Sequence, residues 1–142
     1  MYHIAVCDDN QEEAHLIGRM TQEIMAQREI EAQVDLFFDP ESLLDKLQQT
    51  QIQYDLFLLD ILMEERNGIQ LAQALRQRGY QGKLIYITVS RDYAIDGYKV
   101  NALDYLLKPI SYVDFLQAAN KAVQWFELLQ QPKDEIESIF VK

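Results

Sequence analysis

Residues 54–60 read Tyr54-Asp55-Leu56-Phe57-Leu58-Leu59-Asp60, a nearly unbroken apolar run that ends on a carboxylate. A continuous apolar run, as opposed to an alternating one, marks a strand buried on both faces. Such a strand sits inside a sheet covered by helices on both sides. Its neighbours fix the position of its last residue, so Asp60 is a rigidly held acid at the edge where the chain leaves the sheet.

The same pattern extends in both directions. Tyr2–Cys7 and Val34–Phe38 are apolar runs before this stretch, and Lys83–Val89 and Ala102–Leu107 are runs after it. Between them the apolar residues fall at helical spacing. Asn10–Gln27 carries Ile17, Met20 and Ile24, and the segment opened by Asp39-Pro40 carries Leu43, Leu44 and Leu47. Proline suits the first turn of that helix. The segment after Asn67-Gly68 carries Leu71, Ala72 and Leu75, and residues 91–100 read as a short helix. A last helix begins near Ser111, a suitable N-cap, with Tyr112, Phe115, Leu116, Ala119, Val123 and Phe126 as its stripe. Five strand–helix repeats with helical crossovers predict an α/β fold, a parallel sheet wound on both faces.

The chain has 142 residues, 13 Lys and Arg against 23 Asp and Glu, and a net charge of −10. That length predicts one domain. The acidic balance excludes the basic face that nucleic acid or an anionic membrane surface requires. At 49% hydrophobic and 25% charged residues the composition is that of a folded domain, not a disordered one. Cys7 is the only cysteine, which excludes an internal disulfide and a cysteine-rich structural zinc site. No apolar run is long enough to span a membrane, and the N-terminus lacks the basic start of a signal peptide. A soluble, cytoplasmic protein is expected. After Gln130 the periodicity breaks, and Pro132-Lys133-Asp134-Glu135 reads as a linker.

In open α/β sheets ligands bind beyond the carboxyl ends of the strands. Strand one ends on Asp8-Asp9, strand three on Asp60 and strand four on Thr88, while strand five runs into Lys108-Pro109. Carboxylates gathered on one edge repel one another and raise each other's pKa. A hard divalent cation such as Mg²⁺ relieves that conflict and can recruit a phosphoryl group. A direct phosphate cradle would need a glycine-rich turn after strand one, where Asp8-Asp9-Asn10 stands instead. Asp60 is the candidate nucleophile toward phosphorus, with Lys108 as a point charge and Thr88 as a hydroxyl donor.

Each residue also has a plainer reading. Asp8-Asp9 could cap the first helix. Asp60 could begin an ordinary turn, Lys108 could be a solvated loop cation, and Thr88 could be a β-branched strand residue. Tyr105 could be packing alone. Cys7 reads as a small buried hydrophobe. His3 and His15 lack any partner pattern.

In this order, Asp8-Asp9, Leu58-Leu59-Asp60-Ile61-Leu62-Met63, Gly68, Ile87-Thr88 and Asp104-Tyr105-Leu106-Leu107-Lys108-Pro109 resemble the receiver domain of two-component response regulators, over about residues 2–129. The resemblance implies a flavodoxin-like (βα)5 fold with a five-stranded sheet ordered 2-1-3-4-5. It implies that Asp60 accepts a phosphoryl group from a histidine kinase in a Mg²⁺-dependent reaction. Asp9 and Asp60 would bind Mg²⁺ directly, Asp8 mainly through water, and the backbone carbonyl of Leu62 would complete the protein ligands. Lys108 and Thr88 would hold the phosphoryl oxygens, and Thr88 with Tyr105 would form the switch. The Lys108-Pro109 bond is commonly cis in that family. Such a domain is a phosphoacceptor, not an enzyme with a separate substrate, and promotes its own phosphorylation and dephosphorylation.

Ile4-Ala5-Val6-Cys7-Asp8-Asp9 and the stretch from Tyr93 to Ile110 look like receivers of the LytTR (LytR/AlgR) regulators. That subgroup implies a receiver over residues 1–130. Residues 131–142 would be a linker and the start of a truncated C-terminal DNA-binding domain. DNA contact would run through that domain alone, which this chain lacks. Homodimerisation would use the face of the fourth helix, fifth strand and fifth helix. No membrane contact is expected. Two positions depart from the family pattern. Val89 stands where a small residue is usual, and Glu64 follows Met63 where proline is usual. Val89 is expected to slow phosphorylation or hydrolysis relative to alanine, and Glu64 to tune the phosphate lifetime. These departures keep open a receiver-like interaction module that acts without phosphorylation. An aspartate-nucleophile hydrolase would need a carboxylate where Leu62 stands, and a flavin carrier would need the missing phosphate loop.

Overall fold

The computed structural model describes residues 1–64, 66–93 and 100–129. Five strands, β1 (Tyr2–Cys7), β2 (Ala32–Phe37), β3 (Leu56–Leu59), β4 (Lys83–Thr88) and β5 (Asp104–Leu107), form one parallel sheet in the order β2-β1-β3-β4-β5. Helices α1 (Gln11–Gln27), α2 (Pro40–Gln49), α3 (Gly68–Gln77) and the closing helix α4 (Tyr112–Leu129) cover it. The expected strand order and the winding on both faces are observed. The short helix predicted over 91–100 falls largely outside the described residues, as do residues 130–142.

β1, β3 and β4 read as continuous apolar runs because each feeds two cores. Ile4, Val6, Leu56, Leu58, Ile85 and Ile87 point to one face, where they pack with Ile17 and Ile24 of α1 and Phe115, Val123 and Phe126 of α4. Ala5, Cys7, Phe57, Leu59, Leu84 and Tyr86 point to the other, against Leu43 and Leu47 of α2 and Leu71 and Leu75 of α3. The period-two alternation of a strand places neighbouring residues in different cores. A polar substitution in either half of the alternation therefore enters a core.

The helix starts follow their caps. Asn10, Asp39 and Asn67 accept from the backbone N–H three residues on, and Ser111 Oγ does so from Asp114 N at 3.1 Å. Asp8 and Asp9 are not the cap of α1; Asn10 is. Asn101 takes a φ of 62°, a left-handed conformation that asparagine tolerates, before the chain enters β5. The Lys108-Pro109 bond is cis. At the amino end of β4, Lys83 Nζ lies 3.7 Å above the ring of Trp125, beside a cleft of about 520 Å³ that Arg78, Tyr80 and Phe126 also line. Among the described residues no helix is long and apolar enough to cross a membrane.

Candidate functional site at the carboxyl edge of the sheet

Strand order reverses between β1 and β3, so a crevice opens beyond their carboxyl ends. The sheet ladder continues one residue past each strand. Asp60 N donates to Cys7 O at 2.9 Å, and Asp8 N donates to Phe37 O at 3.0 Å. Both acids are thereby pinned by backbone bonds, while Asp9 is exposed. One carboxylate oxygen each from Asp8, Asp9 and Asp60 lies within 4.8 Å of the others. Side-chain oxygens alone make up this cluster, the donor chemistry that suits Mg²⁺.

Lys108 enters from the end of β5, its backbone N–H bonded to Thr88 O at 2.8 Å. Its ammonium donates to Asp8 Oδ2 at 2.8 Å and to Asp60 Oδ2 at 3.3 Å. It also makes an ion pair with Glu13 of α1. The Lys108 side chain is only 9% exposed, so the reading as a solvated loop cation does not hold.

Burial pushes the Asp60 carboxyl up to about 6; the neighbouring Asp8 charge adds to the rise, and Lys108 and the Leu62 N–H oppose it. Burial also raises Asp8, against the pull of Lys108. Burial works against the charged form of Lys108, but Asp8, Glu13 and Asp60 outweigh it and hold the ammonium above its usual range. One cation thus serves three acids, and the two buried carboxylates remain under-neutralised. The site fits an added divalent cation.

The remaining expected residues take these places. Thr88 is fully buried at the end of β4, and its Oγ1 accepts from Ser90 N at 3.4 Å. The Leu62 N–H donates to Asp60 Oδ1 at 3.3 Å while its side chain is exposed. Tyr105 is half-buried on β5; its hydroxyl donates to Ser90 O, and its ring sits 6.1 Å from that of Tyr86. Gly68 starts α3 and donates its N–H to Ile61 O at 2.8 Å, against the Asp60 backbone. Cys7 is buried with its Sγ 3.8 Å from Met63 Sδ, and burial pushes its thiol up, which fits an inert hydrophobe. Val89 is 63% exposed, one residue past β4. His15 is exposed beside the Phe38 ring, and His3 is half-buried with its ring edge-on to Tyr54.

Glu13 is the site residue that the sequence reading missed. Its spacing after Asn10 suggests a capping partner for α1, and nothing local shows that its carboxylate meets a lysine from the far end of the chain.

Comparison with known proteins agrees with this fold. The sequence model of the response regulator receiver domain matches residues 4–120. The transcriptional regulatory protein LytR of Staphylococcus aureus is 35% identical over 69 residues, which are 49% of this chain and 28% of that protein. An uncharacterized response regulatory protein of Vibrio cholerae is 27% identical over 135 residues, 95% of this chain and 50% of its own length. The chain therefore spans half or less of these curated relatives. Among solved structures, the response regulatory domain of mrkE from Klebsiella pneumoniae superposes with a TM-score of 0.78 at 22% identity, covering 91% of this chain and 99% of that one. The response regulator TrrA of Thermotoga maritima, solved in complex with Mg²⁺-BeF, superposes with a TM-score of 0.70 at 24% identity, covering 86% and 99%. These structures share the fold. With the family model matched over most of its length, the chain belongs to the response regulator receiver domain family.

Proposed function

We propose that the chain is a phosphoacceptor signalling domain in which Asp60 takes a phosphoryl group from a histidine kinase. The observation that carries this reading is the buried Asp60, within 4.8 Å of Asp8 and Asp9 and bridged to Asp8 by Lys108. An Asp60 carboxylate oxygen attacks phosphorus as the P–N bond of the phosphohistidine breaks. The imidazole leaves with that electron pair and takes up a proton. Asp9, Asp60 and the Leu62 carbonyl, with Asp8 behind them, would hold Mg²⁺, which would supply positive charge against the phosphoryl oxygens. Lys108, already bonded to Asp60, would contribute a second charge, and the Thr88 hydroxyl would donate to a further oxygen.

The switch runs through the same residues. Thr88 and Tyr105 sit on adjacent strands, and Tyr105 is bonded to the backbone of Ser90, two residues past Thr88. A hydroxyl drawn toward the phosphoryl group changes the segment to which Tyr105 is tied. The output would be a LytTR-type DNA-binding domain following the receiver, whose linker begins near residue 131. Dimerisation would use the face around β5 and α4. The net charge of −10 disfavours direct contact between this chain and DNA.

The deciding experiment is intact mass after incubation with Mg²⁺ and acetyl phosphate, beside an Asp60→Asn control. One phosphoryl adduct, absent from the control and without Mg²⁺, supports the reading. No adduct, either from acetyl phosphate or from a phosphorylated histidine kinase, favours the module that acts without phosphorylation.

A further inference from the structure

The first helix carries an unfinished cap. Asn10 and Glu13 hold the N-cap and third positions of α1, the spacing of a capping box. In α3 that arrangement is complete: Asn67 Oδ1 accepts from Gln70 N and Gln70 Oε1 accepts from Asn67 N, both at 2.9 Å. In α1 only half of it forms. Asn10 Oδ1 accepts from Glu13 N at 3.2 Å, but the Asn10 N–H donates to Asp8 Oδ1 at 2.9 Å. The Glu13 carboxylate is left to turn elsewhere, and its Oε2, enclosed from solvent, pairs with Lys108 Nζ.

Lys108 therefore has three acid partners, of which Asp8 and Asp60 belong to the oxygen cluster and Glu13 does not. A cation in that cluster competes with Lys108 for Asp8 and Asp60 but leaves Glu13 alone. An ammonium has three N–H donors, and a donor committed to Glu13 is withheld from a phosphoryl oxygen.

We propose that Glu13 is a positioning residue for Lys108: it tethers the ammonium to α1 and competes for it with the phosphoryl group on Asp60. The proposal rests on the phosphoacceptor reading and deepens it. Loading Asp60 draws Lys108 away from Glu13, so the first turn of α1 senses the state of the site.

The test is the phosphorylation time course of the full chain with acetyl phosphate and Mg²⁺, read by intact mass. Glu13→Gln should accelerate phosphorylation about three- to fivefold, the upper scale of a partly exposed ion pair. Glu12→Gln removes the same charge from an exposed neighbour in the same turn and should stay within about twofold of wild type. In a Lys108→Ala background the Glu13→Gln effect should shrink to within about twofold, because the residue through which it acts is gone. In the metal-free protein the ¹⁵N signal of Lys108 Nζ should shift in Glu13→Gln and not in Glu12→Gln. A Glu13→Gln rate equal to that of Glu12→Gln, a slower rate, or an effect that persists without Lys108 overturns the proposal. Absence of an adduct on wild type from acetyl phosphate and from a phosphorylated histidine kinase alike overturns the phosphoacceptor reading and this proposal with it, an outcome visible before any variant is made.

Discussion

Lys108 Nζ lies 2.8 Å from Asp8 Oδ2, closer than the 3.3 Å to Asp60, although Asp8 is 100 residues away in sequence. The resting lysine thus guards an acid that is not the proposed acceptor. Both carboxylates are buried, so breaking the bridge leaves buried negative charge uncompensated. Lys108→Ala should lower metal-free stability at neutral pH by about 2–4 kcal/mol. Saturating Mg²⁺ should restore much of that loss by supplying the missing charge. Urea unfolding in chelator and in Mg²⁺ measures both; a variant as stable as wild type in chelator would contradict the bridge.

The Asp60 carboxyl, at about 6 against an ordinary 3.8, keeps its proton in the folded state where the unfolded chain has lost it. Stability of the metal-free protein should therefore fall as pH rises through that interval and level off above it. Asp60→Asn should flatten that part of the profile, with a residual slope from Asp8, and should be about 1–3 kcal/mol more stable than wild type at neutral pH. Melting temperature against pH in chelator checks this. A profile that keeps its wild-type slope in Asp60→Asn would assign the slope to other groups.

At Gly68 a Cβ would fall 2.1 Å from Asp60 O and 2.9 Å from the Ile61 Cα. Both obstacles are backbone and cannot rotate away. Gly68→Ala should cost about 1–3 kcal/mol of stability through overpacking. It should also slow phosphorylation of Asp60 by about tenfold or more, since a small displacement of a reacting group costs rate steeply. Calorimetry and the acetyl phosphate time course give the two readings. A folded variant with a normal rate would mean the loop yields without moving Asp60.

Val89 is exposed, so Val89→Ala should change stability by no more than about 0.5 kcal/mol. The same variant should gain or lose the phosphoryl group faster than wild type, because the side chain follows Thr88 at the carboxyl end of β4, the edge that carries the site. Equal rates in both directions would remove Val89 from the access path.

The fold was legible because its signals are local. Apolar runs gave the strands, and Asn10, Asp39, Asn67 and Ser111 marked the helix starts. Strand ends were less sharp. Tyr54 and Asp55 read as part of β3, but the strand begins at Leu56. Asp55 still carries ladder-like bonds to His3 O and from Lys83 N, while Tyr54 sends its hydroxyl to Asp35 Oδ2. The apolar run of β4 reaches Val89, but the strand ends on Thr88 as expected, because β4 pairs only as far as Thr88 with Leu107 and Val89 lies beyond it, exposed. Of the site, the residues at strand ends could be placed together from topology alone. Glu13 could not, because its partner is fixed by the way Asp8 takes the Asn10 N–H, a competition between two side chains that leaves no periodic trace in the sequence.

Trp125, the only tryptophan in the chain, lies under Lys83 at the opposite end of β4 from Thr88. At the rise of a parallel strand the two ends of β4 are about 17 Å apart. A ligand at the aspartate cluster cannot quench that indole by contact. A change in its emission on loading the cluster would be an event relayed through the fold or through association at the α4 face, so the molecule holds its own optical gauge of how far an event at one pole travels to the other.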